Sequence, residues 1–358
     1  CKVHSSSHHP LSKTKKQIIM SELFNALTIP FLLAMFLAVN MGGSGTAAAF
    51  SAAYGANVLK RTLIPGLFGI MVLAGALIAG KEVSLTLGKG LLDHSFFTPL
   101  ITSVILFSIG LSLLIANLIG VPQSTSQATV LSIAGAATAL EGLNTRKLFY
   151  EIIPTWIILP IIAFIMMFSL SKWVFPSLKN KFFTADYSHL KQHKGLKGLL
   201  ILSSLYVAFS IGANNVANAA APIASLTANE IGQEAIQNFL PIIILSVLIV
   251  APCFAIGSSL LGHKVTKTTG KEIVEVSPFY ATIIAMITAS LLLFASITKG
   301  IPTSLVQLNG AAFIALSISK NGVKSTFSNK TVKRFFTVWG IAPVFAYFLT
   351  FALVVLLK

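Results

Sequence analysis

Apolar runs of membrane-span length alternate along this chain with short stretches rich in Gly, Ser, Asn and Lys. The first run, Phe24–Met41, carries Pro30 and leads into Gly42-Gly43-Ser44-Gly45-Thr46. A Gly/Ser/Ala stretch is a poor helix interior, so the pattern predicts a break there, followed by a half-helix to Asn57. Lys60 and Arg61 mark an exit, and Thr62–Gly80 is a second span. The segment from Lys81 to Gly90 is too polar to cross. Phe96–Leu118 is a third span, ending at Gly120-Val121-Pro122-Gln123-Ser124-Thr125-Ser126-Gln127 before another apolar stretch to Leu140. Leu148–Phe175 closes the first half, with Trp156 and Pro160 inside it. Runs of roughly 20 apolar residues suit helices that cross a bilayer.

The second half repeats these landmarks in order. Gly212-Ala213-Asn214-Asn215 answers Gly42-Gly43-Ser44-Gly45 at an offset of 170 residues, and Gly262–Lys271 answers Gly80–Lys89 at 182. Gly300-Ile301-Pro302-Thr303-Ser304-Leu305-Val306-Gln307 answers Gly120–Gln127 at 180, and Trp339 with Pro343 answers Trp156 with Pro160 at 183. A membrane chain that is its own tandem repeat, broken at corresponding places, is the sequence picture of a secondary transporter.

The densest polar feature lies in Ile211–Leu226, where Asn214, Asn215 and Asn218 sit among Gly and Ala between apolar flanks. Unpaired amides at membrane depth cost several kcal/mol. They persist where they line a cavity, hold a polar solute or join helices. Three within five positions favour a cavity. Two half-helix N-termini meeting near the midplane would form an anion site, because their N–H groups and partial positive charge point at one place. Gly42, Gly43, Gly45 and Gly212 would allow close backbone approach. Ser44, Thr46, Ser124, Thr125, Ser126, Ser304 and the asparagines would supply neutral donors. Back-bonding to helix carbonyls is the plainer use of any one of these hydroxyls.

Composition sharpens the picture. Of 358 residues, 55% are hydrophobic and 10% charged, with a mean hydropathy of +0.84, which is incompatible with a soluble domain. The net charge of +16, from 26 Lys and Arg against 10 acids, is concentrated between apolar runs. That is loop charge on the cytoplasmic side and affinity for anionic headgroups, not nucleic-acid binding. Residues 1–20 read as a disordered basic tail, and His4, His8 and His9 complete no metal site. The basic stretch 176–197 reads as a cytoplasmic linker between a first membrane repeat, 21–175, and a second, 198–358. His189 and His193 within it lack further ligands. Cys1 and Cys253 give no disulfide framework. No nucleophile–base motif, metal cluster or P-loop is present, so neither catalysis nor ATP-driven pumping is expected, and no cofactor. A channel would need a continuous polar pore or a charged ring. Among the acids, Glu82 and Glu272 follow lysines and read as interfacial ion pairs. Glu141 directly follows an apolar stretch and is the first candidate for a coupling proton.

At Gly212-Ala213-Asn214-Asn215-Val216-Ala217-Asn218-Ala219 the chain resembles the inorganic phosphate transporter (PiT) family of anion permeases, whose signature is Gly-Ala-Asn-Asp-Val-Ala-Asn-Ala. Residues 120–127 resemble that family's Gly-Val-Pro-Val-Ser-Thr-Thr-His. The resemblance covers nearly all of residues 21–358. It implies an all-α integral membrane fold of two inverted-topology repeats, with about 10–12 helical elements and broken or re-entrant segments. It also implies a phosphate site between the signature loops, ion coupling by H+ or Na+, a place in the cytoplasmic membrane and a homodimer. The departures are specific. The signature Asp, tied to cation binding in sodium-driven relatives, is Asn215, answered by Gly45, and the motif His is Gln127, answered by Gln307. These positions are the candidates for ion coupling, and neither signature loop keeps a carboxylate. Hydrogen phosphate carries an O–H that a carboxylate would accept, whereas neutral donors alone hold sulfate without charge repulsion. Family resemblance sets phosphate slightly ahead, with sulfate on the same fold as the alternative.

Overall fold

The computed structural model describes residues 13–55, 58–119, 123–177, 194–265 and 276–358. The tail before Lys13, Gly120–Pro122, most of the basic linker with His189 and His193, and Thr266–Lys271 lie outside the described residues.

The described chain is helical. In order it forms α1 (Lys13–Gly55), α2 (Ile64–Ala79), α3 (Lys81–Leu85), α4 (Pro99–Ile119), α5 (Thr125–Ala139), α6 (Ile153–Ser169) and α7 (Lys194–Asn215). There follow α8 (Ala217–Ile231), α9 (Gln233–Gln237), α10 (Phe239–Val265), α11 (Pro278–Lys299), α12 (Leu305–Asn321), α13 (Val323–Ser328) and α14 (Lys330–Leu357). Eight helical segments are long and apolar enough to cross a bilayer, and α5 and α12 are half-helices that begin inside the bundle. Both start where the sequence breaks at Gly-x-Pro, since proline cannot continue the preceding helix. Ser124 and Ser304 cap them alike: Ser124 Oγ accepts from Gln127 N at 3.2 Å and Ser304 Oγ from Gln307 N at 3.1 Å.

One predicted break does not occur. α1 runs unbroken through Gly42–Gly45, whereas its counterpart is interrupted at Val216, between α7 and α8. The glycines of α1 serve packing. A Cβ on Gly42 would lie 2.2 Å from Phe254 O, and one on Gly257 would lie 2.0 Å from Val39 O. The same reciprocal contact joins α2 and α7: a Cβ on Gly212 would lie 2.0 Å from Val72 O, and one on Gly75 would lie 1.9 Å from Phe209 O. At each crossing two glycines, one per helix and each three residues beyond the facing carbonyl, let the backbones touch.

These crossings tie the two halves of the chain together. α1 packs most extensively on α10, and α2 on α7; α5 packs on α14, and α12 on α6. The directions follow from contacts on either side of the crossings. Gly42 lies at Phe254 and Gly262 at Thr46, so α1 and α10 run the same way. Gly212 lies at Val72, and beyond the end of α2 Gly88 lies at Ala221 of α8, which follows α7, so α2 runs with α7. Tyr206 meets Ser290 and Asn214 meets Ser296, so α7 also runs with α11.

Candidate functional site

The polar centre lies where the starts of α5 and α12 meet the end of α7. Gln127 and Gln307, each in the first turn of its half-helix, face one another across the halves. Each Nε2 donates to the other's Oε1 at 2.9 Å. Thus residues 180 positions apart in sequence form one symmetric amide pair.

Asn214 is fully buried and fully bonded. Its Nδ2 donates to Ser296 Oγ at 2.8 Å and Ile301 O at 3.4 Å, and its Oδ1 accepts from Ser126 Oγ at 3.0 Å and Thr303 N at 3.3 Å. It therefore fastens α7 to α11, to the break before α12 and to α5. With its lone pairs and protons engaged, Asn214 positions the site and has no spare group to offer a solute.

Asn218 and Asn215 differ. Asn218 is buried, its Nδ2 reaches only Ser126 Oγ at 3.4 Å and Met41 Sδ at 4.0 Å, and its Oδ1 has no partner. The Oδ1 of Asn215 is also buried and unpartnered. Through Ser126 the bare amide of Asn218 lies at the start of α5, beside the Gln127–Gln307 pair that joins the two half-helix starts, and this place is polar, uncharged and unsatisfied. Helix starts carry N–H groups with no intrahelical acceptor, so donors and acceptors converge here. Thr125, Ser126, Gln127 and Ser304 are buried or nearly so around it. Trp156 Nε1 donates to Pro302 O at 2.8 Å and braces the second break. Gln123, buried beside the first, donates to Ser112 Oγ at 2.8 Å.

The first-half signature lies apart from this cluster. Gly42 and Gly43 face α10, Gly45 faces Phe68 and Ile211, and Ser44 Oγ donates to Met41 O at 3.1 Å. Thr46 Oγ1 donates to Gly42 O at 2.7 Å. Because α1 stays helical, these hydroxyls bond their own helix and these glycines meet neighbouring helices. Gly212, too, is turned towards α2. Met41 is the nearby residue of α1 that reaches the asparagines. Ser296 and Thr303, which hold Asn214, carry no sequence signal of their own: one lies in an apolar run, and the other works through its backbone.

Glu141 is exposed on the turn that ends α5, at a φ of 57°. The following Gly142 N bonds back to Ala137 O at 2.8 Å, which makes Glu141 the left-handed residue of a helix C-terminal motif. A carboxylate there is outside the buried cluster, so the position reserved for a coupling proton is a turn position. Glu141→Gly is expected to raise stability by about 0.5–1 kcal/mol. It should leave uptake intact, as read by melting in detergent and flux in vesicles.

The chain matches the Phosphate transporter family over residues 41–350. It is 31% identical over 324 residues to the sulfate permease CysP of Bacillus subtilis, covering 90% of this chain and 86% of that one. It is 27% identical to a probable low-affinity inorganic phosphate transporter of the same organism, covering 84% and 87% of the two chains. The solved structure of a sodium-dependent phosphate transporter matches its fold with a TM-score of 0.75 at 21% identity, over 93% of this chain and 98% of that one.

Proposed function

We propose that this chain, which belongs to the phosphate transporter family, is a secondary active transporter that carries sulfate in preference to phosphate by alternating access. It is a multi-pass membrane protein, and its family comprises transporters rather than enzymes. The observation that carries the substrate reading is the buried meeting of two capped half-helix starts with amides and hydroxyls and no carboxylate among the described residues. Helix starts attract an anion. Without a carboxylate the site exerts no charge repulsion on a fully ionised oxyanion, and the bare amide oxygens of Asn215 and Asn218, which could also accept the O–H of hydrogen phosphate, are left to the coupling cation. The 31% identity to a sulfate permease points the same way and moves the balance set by the sequence motifs.

The matched pairing of α1 with α10 and α2 with α7 supports two repeats of opposite orientation that rock about the cluster. The described acids, from Glu22 and Glu82 to Glu230 and Glu234, gather at the end of the bundle where α1 starts and α8 finishes, and lysines such as Lys81 and Lys147 accompany them there. The opposite end carries Lys60, Arg61, Lys194, Lys320, Lys330 and Arg334. The lysines and arginines of that end, with those of the 176–197 linker, support a cytoplasmic location for it. The coupling ion is H+ or Na+. The bare oxygens of Asn215 and Asn218 are of the kind that hold a hard cation. The cluster contains no titratable side chain, so a proton would travel on the solute or on water.

Proteoliposome uptake of labelled sulfate and labelled phosphate, each competing with the other under an imposed proton or sodium gradient, tests this reading. Saturable sulfate uptake that excess phosphate leaves unchanged is expected. Phosphate uptake indifferent to sulfate would reverse the substrate assignment, and flux without saturation would remove the transporter mechanism. Asn215→Asp, which restores an acceptor carboxylate, should shift the phosphate-to-sulfate ratio by about tenfold towards phosphate.

A further inference from the structure

Gln127 and Gln307 are each the third residue of a half-helix, and each completes the sequence Ser-x-x-Gln, at Ser124–Gln127 and Ser304–Gln307. In a capping box of that sequence the serine side chain takes the N–H of the third residue, and the glutamine side chain returns to the N–H of the serine. Only the serine half of each box is made: Ser124 Oγ accepts from Gln127 N and Ser304 Oγ from Gln307 N. The glutamine side chains cross to one another instead, each Nε2 donating to the other's Oε1 at 2.9 Å. The two half-helices otherwise belong to different packing groups. α5 packs on α4 and α14, whereas α12 packs on α6 and α11. Among the described residues, the hydrogen bonds that join α5 to α12 directly are those of this pair. The two amides thus satisfy each other without a solute. Beside them the Oδ1 of Asn218, a residue fully buried and tied through Nδ2 to Ser126 of the first turn of α5, has no partner.

We propose that the Gln127–Gln307 pair stands in for the solute in the empty carrier. It bridges the two half-helix starts when no anion is present, so that the two packing groups reorient together without cargo, and it parts when an anion enters. This rests on the transport reading above and adds to it the return step. Closing an empty polar site away from water strands its helix-start N–H groups, which costs free energy. Drawing the starts together through two mutually satisfied amides reduces that cost. Parting the pair is cheap in turn, because each Oε1 has a second donor in the N–H of its own capping serine, the half of the box now unmade, while each Nε2 turns to water in the opened site. The pair and the anion therefore compete for one gap, and the closed pair lowers the apparent affinity for an anion by the fraction of carriers in which it is open.

The test uses the full chain in proteoliposomes. Equilibrium binding of labelled sulfate, net uptake into sulfate-free vesicles and exchange against internal sulfate are measured for the wild type, Gln127→Ala, Gln307→Ala, the double alanine variant, Gln127→Asn and Asn218→Ala. Either single alanine breaks both reciprocal bonds, and asparagine keeps the amide but is too short to reach across. The glutamine variants are expected to bind sulfate about fivefold to tenfold more tightly than the wild type. They should keep exchange within about twofold and lose about tenfold in net uptake, because only net uptake needs the empty carrier to return. The double variant should lose no more than either single one, since the interaction is shared. Asn218→Ala should lose exchange and net uptake alike. Gln127→Asn, the mildest change, decides the matter if the alanine variants do not extract as monodisperse protein. Equal loss of exchange and net uptake in the glutamine variants would overturn the inference, as would unchanged net uptake. Weaker sulfate binding that Gln127→Asn partly spares would also overturn it, by making the amides ligands of the solute. A wild type that carries neither sulfate nor phosphate would overturn the transport reading itself, whereas wild-type uptake without the split in the variants overturns this inference alone.

Discussion

Gly212→Ala is expected to yield little folded protein. The added methyl would lie 2.0 Å from Val72 O and 2.8 Å from Val72 C and Cα, and backbone cannot swing aside as a side chain can. α2 and α7 would have to separate along a crossing where Gly75 also meets Phe209 backbone. Overpacking of this kind costs about 3 kcal/mol or more, against a typical total stability of about 5–15 kcal/mol. Gly198, with open space around its Cβ position, supplies the control: Gly198→Ala should fold as the wild type does. The measurement is the monodisperse fraction after detergent extraction, with melting temperature for whatever survives. A Gly212→Ala protein with wild-type yield and melting would show that the crossing tolerates separation.

Asn214→Ala should damage the protein more than Asn218→Ala, although both are expected to lose saturable uptake. Removing the Asn214 amide strands Thr303 N and takes one bond each from Ser296 Oγ, Ile301 O and Ser126 Oγ, which keep Leu292 O, Thr303 Oγ1 and Asn218 Nδ2 as partners in a buried place. Interhelical hydrogen bonds in membranes are worth about 0.6 kcal/mol each on average and stranded groups cost more, so a loss of about 2–4 kcal/mol is expected. Asn218 makes only long contacts and keeps one atom unpartnered. Its removal should leave melting within about 1 kcal/mol of wild type while abolishing flux. Equal melting of the two variants would show that the bonds of Asn214 carry no net stability. Full uptake by Asn218→Ala would remove that residue from the site.

The fold was legible wherever polarity interrupts an apolar run. The breaks before Ser124 and Ser304 announced themselves by Gly-x-Pro and a capping serine, and both half-helices begin there. The matching of Gln127 with Gln307 at an offset of 180 residues anticipated that the two positions correspond, and the structure brings their amides together. Glycine was the ambiguous letter. Lacking a Cβ, it serves a chain that must break and a helix that must touch another, and the sequence around Gly42 does not distinguish these uses. Only the facing carbonyl of Phe254 decides the matter. The asparagines posed a similar ambiguity, since an amide that braces and an amide that binds look alike in sequence. Asn214 proved saturated and Asn218 did not because of Ser296 and Thr303, which lie about 80–90 residues away along the chain. Glu141 lies outside the buried cluster for a plainer reason. It adjoins an apolar stretch, but the chain turns on it, and a turn at a helix end faces water.

The exchange of partners between the halves has a consequence for biogenesis. α1 ends at Gly55, and its principal partner α10 begins at Phe239. At about 5–20 residues per second, synthesis of the intervening stretch occupies roughly 10–40 s. Throughout that interval the small-residue face of α1 lies against lipid or the insertion machinery, its backbone groove waiting for a helix not yet made. The nascent first half is thus inserted long before it is assembled. A ribosome stalled before α10 would release a bilayer-resident fragment with an open docking groove, the kind of unpaired surface that membrane quality control can recognise.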